Sequence, residues 1–126
     1  MSATKDSLKI VIVDDDVGTL EVEALAVEEL GYQAVATSDP VEVVELVEND
    51  PAVGLVIVDL VMPGSINGIT LANRLRQINP GVKVVYTSGY VPVSTMEKIR
   101  DSGELILPKP WRIAALAQLI ETALAS

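Results

Sequence analysis

The chain has 126 residues, with nine Lys and Arg against eighteen Asp and Glu and a net charge of −9. That length suits a single domain, 1–126, and a 49% hydrophobic content supplies a packed core, which excludes a disordered acidic tail. With no Cys and no His, disulfides, thiolate chemistry, a Ser-His-Asp triad and His-ligated metal sites are excluded, and the acidic balance lacks the basic face that nucleic acid needs. No apolar run approaches the roughly 18 residues of a membrane span, and the polar start is no signal peptide, so a cytoplasmic protein without a membrane partner is expected.

Short β-branched runs alternate with longer stretches of helical spacing. Residues 8–13 form a near-continuous apolar run, as a strand buried on both faces of a parallel sheet requires, and it ends in Asp14, Asp15 and Asp16. Val17, Leu20, Ala24, Val27 and Leu30 then recur at three and four, predicting a helix over 17–30 with Asp16 as its cap and Gly31 as its stop. A second strand over 33–37 precedes Asp39-Pro40-Val41-Glu42, a capping box with a first-turn proline that opens a helix to about residue 48. The third strand, 53–58, is closed by Asp59 and a loop of breakers containing Pro63, Gly64 and Gly68, and the next helix carries Leu71, Leu75 and Ile78. Residues 82–87 form the fourth strand. Ser94-Thr95-Met96-Glu97 reads as the capping box of a short fourth helix, the least amphipathic, ended by Gly103. Residues 105–107 are the fifth strand, and Ile113, Leu116, Ala117, Ile120 and Leu124 mark the fifth helix. Five βα units joined by right-handed crossovers predict an open, doubly wound α/β fold, its parallel sheet in the order 2-1-3-4-5. Its crevice lies at the strand carboxyl ends, between strands one and three.

Four strand ends bring chemistry to that crevice: Asp14 and Asp15 after strand one, Asp59 after three, Ser88 after four and Lys109 after five. Taken singly, each has an ordinary explanation as a solvated loop, a turn or a surface lysine; independent explanations do not place all of them at one sheet edge. Adjacent strands are about 4.8 Å apart, so the carboxylates repel, by about 4 kcal/mol at an effective dielectric near 20, unless a positive group joins them. With only oxygen donors on offer, that group is a hard cation, and a few carboxylates that leave room for water suit Mg²⁺ better than Ca²⁺. Asp59 is then a candidate nucleophile toward a phosphoryl group, Lys109 a second positive charge, and the Ser88 hydroxyl a donor to a phosphoryl oxygen.

The segments VIVDDD at 11–16, DLVMPG at 59–64, TSGY at 87–90 and PKPW at 108–111 resemble the receiver domain of two-component response regulators across essentially the whole chain. The resemblance implies a flavodoxin-like (βα)₅ sandwich, with Asp59 as phosphoacceptor, Ser88 as switch hydroxyl and Lys109 as the family's lysine. It implies that Asp15, Asp59 and the Val61 carbonyl ligate Mg²⁺ directly while Asp14 acts through water, and that the Lys109–Pro110 peptide is cis. It implies a phosphodonor that is a histidine kinase or a His-containing phosphotransfer protein, and readout through helix four, strand five and helix five. The expected protein is then a phosphoacceptor switch with slow self-hydrolysis rather than a turnover enzyme; these 126 residues leave no room for an output domain, so the chain is either a stand-alone regulator or a receiver module cut from a hybrid kinase or larger regulator.

Several residues depart from that family pattern. Ile106 stands where many receivers have a Tyr or Phe three residues before the lysine, and Tyr90 is a candidate substitute. Val61 and Tyr90, both bulky, flank the acceptor at positions that tune phosphate lifetime, which predicts hindered attack by water. Trp111 reads as a packing residue, with an interface anchor as its alternative, and Met62 and Met96 read as gap fillers. Two competing classes remain in view. A phosphorylation-independent, receiver-like binding module would keep the fold without the chemistry, and a phosphohydrolase lacks any visible general base beyond the acids.

Overall fold

The computed structural model describes residues 8–60, 67–89, 92–109 and 111–125. Five strands alternate with five helices: β1 Lys9–Val13, α1 Val17–Glu29, β2 Gln33–Thr37, α2 Pro40–Asn49, β3 Val53–Asp59, α3 Gly68–Ile78, β4 Lys83–Ser88, α4 Val93–Asp101, β5 Leu105–Pro108 and α5 Ile113–Ala125. All pairings are parallel and the strand order is β2-β1-β3-β4-β5, as the alternation requires. None of the helices described is long and apolar enough to cross a membrane.

Alternation along the strands splits the core into two layers. Val11, Val13, Val56, Val58, Val84, Tyr86 and Ile106 face α2, α3 and α4, where Val43, Val47, Leu71, Leu75 and Ile99 meet them. Ile10, Ile12, Leu55, Ile57 and Val85 face α1 and α5, where they meet Leu20, Val27, Leu116 and Ile120. The central strands are therefore buried on both sides, which is why they read as unbroken apolar runs rather than alternating ones.

Local signals set most helix ends. The Asp39 carboxylate accepts from the Val41 N–H at 2.9 Å, with Pro40 in the first turn. Glu42 does not close the expected box; it accepts instead from the Thr37 hydroxyl at 3.0 Å, tying the helix to the end of β2. The Asn67 side chain caps α3 by accepting from the Thr70 N–H at 2.9 Å. Gly31 and Gly103 stop α1 and α4 at φ of 97° and 87°, a region only glycine enters cheaply. The Ser94 to Glu97 segment is not a capping box, because α4 begins at Val93 with Pro92 as its N-cap and no side-chain cap. Nor is α4 the least amphipathic helix. On α1, Val17, Val22 and Leu25 are exposed while Glu23 is buried, so its polar and apolar faces are the most mixed.

One close approach fixes the end of β3. A methyl group on Gly68 would lie 2.5 Å from the Asp59 carbonyl oxygen and 2.9 Å from the Leu60 Cα, so the start of α3 packs directly on the backbone that carries Asp59.

Candidate functional site

The carboxyl edge of the sheet gathers the residues that the strand ends pointed to. One carboxylate oxygen from each of Asp14, Asp15 and Asp59 lies within 4.8 Å of the others, Asp14 and Asp59 buried and Asp15 exposed. The Lys109 ammonium donates to Asp14 Oδ2 at 2.6 Å and stands 3.5 Å from Asp59 Oδ2. Its backbone N–H donates to the Ser88 carbonyl at 2.7 Å, locking the end of β5 to the end of β4, and the Leu60 N–H reaches the Thr87 carbonyl at 2.9 Å. Ser88 is 4% exposed, and no hydrogen-bond partner reaches its hydroxyl oxygen among the described residues. Buried hydroxyls are normally bonded, so one left open at the strand edge that carries the charged cluster is suited to a group that arrives later.

Electrostatics in the site follow from burial and from the Lys109 ammonium. Burial disfavours the Asp14 anion, but the Asp16 backbone N–H, donating at 3.0 Å, and the Lys109 ammonium outweigh it and hold the carboxyl below its usual range. Burial also disfavours the Lys109 cation, yet Asp14 and Asp59 more than compensate and raise its pKa above the ordinary lysine value. Asp16 takes the N-cap position of α1 as expected, although its carboxylate accepts from the Thr19 hydroxyl rather than from a backbone N–H.

The apolar spacing passes over Glu23, the acid in the site that is not at a strand end. It is 2% exposed, and no hydrogen-bond donor among the described residues reaches either carboxylate oxygen. Burial pushes its pKa from 4.5 up to about 7; the Lys109 ammonium pulls it down, while Asp14 and Asp59 push it further up. The signal was there: Glu23 stands three residues after Leu20 and four before Val27, on the face of α1 that packs on the sheet. Asp14, Asp59 and Lys109 continue the alternation of Ile12, Ile57 and Leu107 on that same side, which is why α1 meets them. A cleft of about 450 Å³ opens there, lined by Thr19, Glu23, Lys109 and Trp111 among others. Trp111 is half-buried and packs against the α1/α5 core layer, in keeping with a packing role.

Three oxygen donors with no nitrogen or sulfur among them fit a hard divalent cation such as Mg²⁺, which keeps part of its water shell. Val61, expected to add a carbonyl, lies outside the described residues, as do Met62, Tyr90 and Pro110. Ile106 is buried and pairs in register with Tyr86, so the aromatic ring of this layer sits on β4, two residues before Ser88.

A family model for the response regulator receiver domain matches residues 10–121. Over 118 residues the chain is 30% identical to the DNA-binding transcriptional regulator NtrC of Azospirillum brasilense, aligning 93% of its own length with 24% of that protein. It is 28% identical to the response regulator receiver protein CpdR of Brucella abortus (strain 2308), covering 92% of this chain and 96% of that one. Among solved structures, a response regulator receiver domain protein from Clostridium thermocellum superposes with a TM-score of 0.82 at 23% identity, over 94% of both chains. The chain thus spans about a quarter of one relative and nearly all of another.

Proposed function

The chain belongs to the response regulator receiver domain family of two-component systems, and from that membership we propose that Asp59 accepts a phosphoryl group from a phosphohistidine of a histidine kinase or His-containing phosphotransfer protein. The supporting observation is the gathering of Asp14, Asp15 and Asp59 within 4.8 Å around a lysine that reaches two of them. An Asp59 carboxylate oxygen attacks phosphorus in line; the O–P bond forms as the P–N bond to imidazole breaks, and the imidazole leaves with the electron pair. Mg²⁺ held directly by Asp15, Asp59 and the Val61 carbonyl, and by Asp14 through water, would neutralise charge on the transferring phosphoryl oxygens. Lys109 then exchanges its contact with the Asp59 carboxylate for the phosphoryl oxygens, and the open Ser88 hydroxyl donates to one of them.

The added charge of about −1.5 to −2 biases the segments after β3 and β4, and we assign readout to the α4, β5 and α5 face, in contact with a downstream protein in the cytoplasm. Incubation with acetyl phosphate and Mg²⁺ tests the reading: intact mass should rise by one phosphoryl group, and Asp59→Asn should abolish the gain. A gain that survives in Asp59→Asn, or its absence in the natural chain, overturns it. With Val61 and Tyr90 hindering water, phosphate release should be slower than from a Val61→Asn, Tyr90→Glu variant, read by the decay of the same mass peak.

A further inference from the structure

The Lys109 ammonium and a divalent cation would draw on the same oxygens. Asp14 holds the ammonium at 2.6 Å and Asp59 stands 3.5 Å from it, and both belong to the trio suited to the cation. A divalent ion among those oxygens repels the ammonium and claims its best partner, so the lysine needs another acceptor if it is to stay ordered in the site. Glu23 is that acceptor by position. It lines the same cleft as Lys109, is 2% exposed, and has two carboxylate oxygens that no donor reaches among the described residues. Its charge also acts on Lys109, Asp14 and Asp59 together. A buried carboxylate that no donor reaches among the described residues, set beside the Asp14 carboxylate, is costly, and packing gives no reason for it, because Leu20 and Val27 flank it on an apolar face of α1 where a leucine would serve.

Resting on the phosphoacceptor reading above, we propose that Glu23 is a positioning residue for Lys109: it takes the ammonium when a divalent cation occupies Asp14, Asp15 and Asp59, so that both positive charges are held at once. The three aspartates already match the dication and the ammonium in charge; what Glu23 adds is an acceptor for the ammonium that the cation has not claimed. The proposal does not make Glu23 a ligand of the cation, and its oxygens are not among those that cluster within 4.8 Å.

The test is a Mg²⁺ titration of the full chain at about pH 8, where an acid of pKa about 7 is mostly ionised, read by the fluorescence of Trp111, the only Trp, and by calorimetry. Glu23→Gln and Glu23→Leu should each weaken Mg²⁺ binding roughly tenfold, the scale on which groups that orient a site from behind its ligands act. In a Lys109→Met background the same substitutions should change affinity by less than about twofold, because the ammonium they position is gone. A purely structural role would not make the effect depend on Lys109. Unchanged affinity in both Glu23 variants overturns the inference alone, as does equal weakening with and without Lys109, which would make Glu23 a direct charge on the cation. Failure of the natural chain to bind Mg²⁺ overturns the phosphoacceptor reading and this inference with it. The isosteric Gln and the apolar Leu cover one another should either disturb folding, checked by circular dichroism.

Discussion

At the amino ends of the strands Lys9 pairs with Asp50 at 2.6 Å and Arg76 with Glu104 at 2.6 Å, one cation to one anion, with every side chain about a quarter to a third exposed. At the carboxyl ends, among the described residues, the Lys109 ammonium alone faces buried Asp14 and Asp59, with Glu23 lining the same cleft and Asp15 clustered with the other two aspartates. The first arrangement is balanced and wet, and contributes little to stability. The second is unbalanced and largely buried, which the fold alone would not favour. A surplus of carboxylate in one place makes sense where positive charge and a phosphoryl group are to arrive, so the contrast separates the edge that holds the molecule together from the edge that works.

The sharpest way to break this contrast is to remove its one cation. Lys109→Met in chelator leaves Asp14 and Asp59 without their counter-charge and should cost about 3 kcal/mol in urea denaturation, with Mg²⁺ restoring most of it. Asp14, held below its ordinary 3.8, contributes stability that is present above that value and lost as pH falls through its depressed folded pKa. Loss of Lys109 should therefore move acid unfolding to higher pH. If the variant is as stable as the natural chain without Mg²⁺, the carboxyl edge is no more strained than the amino edge.

Glu23 gives the opposite sign. Its folded pKa of about 7 lies above the unfolded 4.5, so its contribution to stability is full below pH 4.5 and is lost as pH rises through 7. Lys109, Asp14 and Asp59 are the charged groups that face it, and in chelator only the first opposes the loss. Glu23→Leu should remove this alkaline decline and stabilise the metal-free protein on the order of 3 kcal/mol at about pH 8, with little difference near pH 4. Stability curves for the two proteins that run parallel across this range would show that the buried acid carries no penalty.

How much of this was legible beforehand follows from what each residue answers to. The sheet order, the two-sided burial of the central strands and the gathering of Asp14, Asp15, Asp59 and Lys109 at the edge where β4 ends in Ser88 come from period and strand ends, which backbone geometry dictates. Glu23 escaped because an apolar stripe is found by its apolar members; its place between Leu20 and Val27 says buried while its chemistry says exposed, and nothing in the local spacing shows that Lys109 lines the same cleft. Val17 and Ile113 were counted into helical stripes but stand exposed at the first turns of α1 and α5, where a helix has yet to settle onto the sheet. The box at Ser94 failed because Pro92 starts α4 two residues earlier than the side chains suggest. Tyr86 entered the sequence reading only as one residue of the fourth strand, yet it is a buried aromatic beside Ile106, a relation set by β4–β5 register that no local pattern encodes.

Tyr86 also supplies the gentlest test of the contrast between the two edges. Burial raises its pKa and Glu104 adds to the rise, while Arg76, hydrogen-bonded to the hydroxyl, counters both. Arg76→Met removes a partly exposed pair with Glu104, worth less than about 1 kcal/mol, and a donor to a buried phenol, worth about 1 kcal/mol. The loss in urea denaturation should therefore be about 1–2 kcal/mol, smaller than that for Lys109→Met and insensitive to Mg²⁺, and phosphoryl uptake from acetyl phosphate should be unchanged. Tyr86 stands two residues from Ser88 on the same strand, so this variant also asks whether the edges are independent. A fall in uptake without a larger loss of stability would mean that the Arg76–Tyr86 contact reports to the Ser88 hydroxyl, and that the balanced edge is part of the working one.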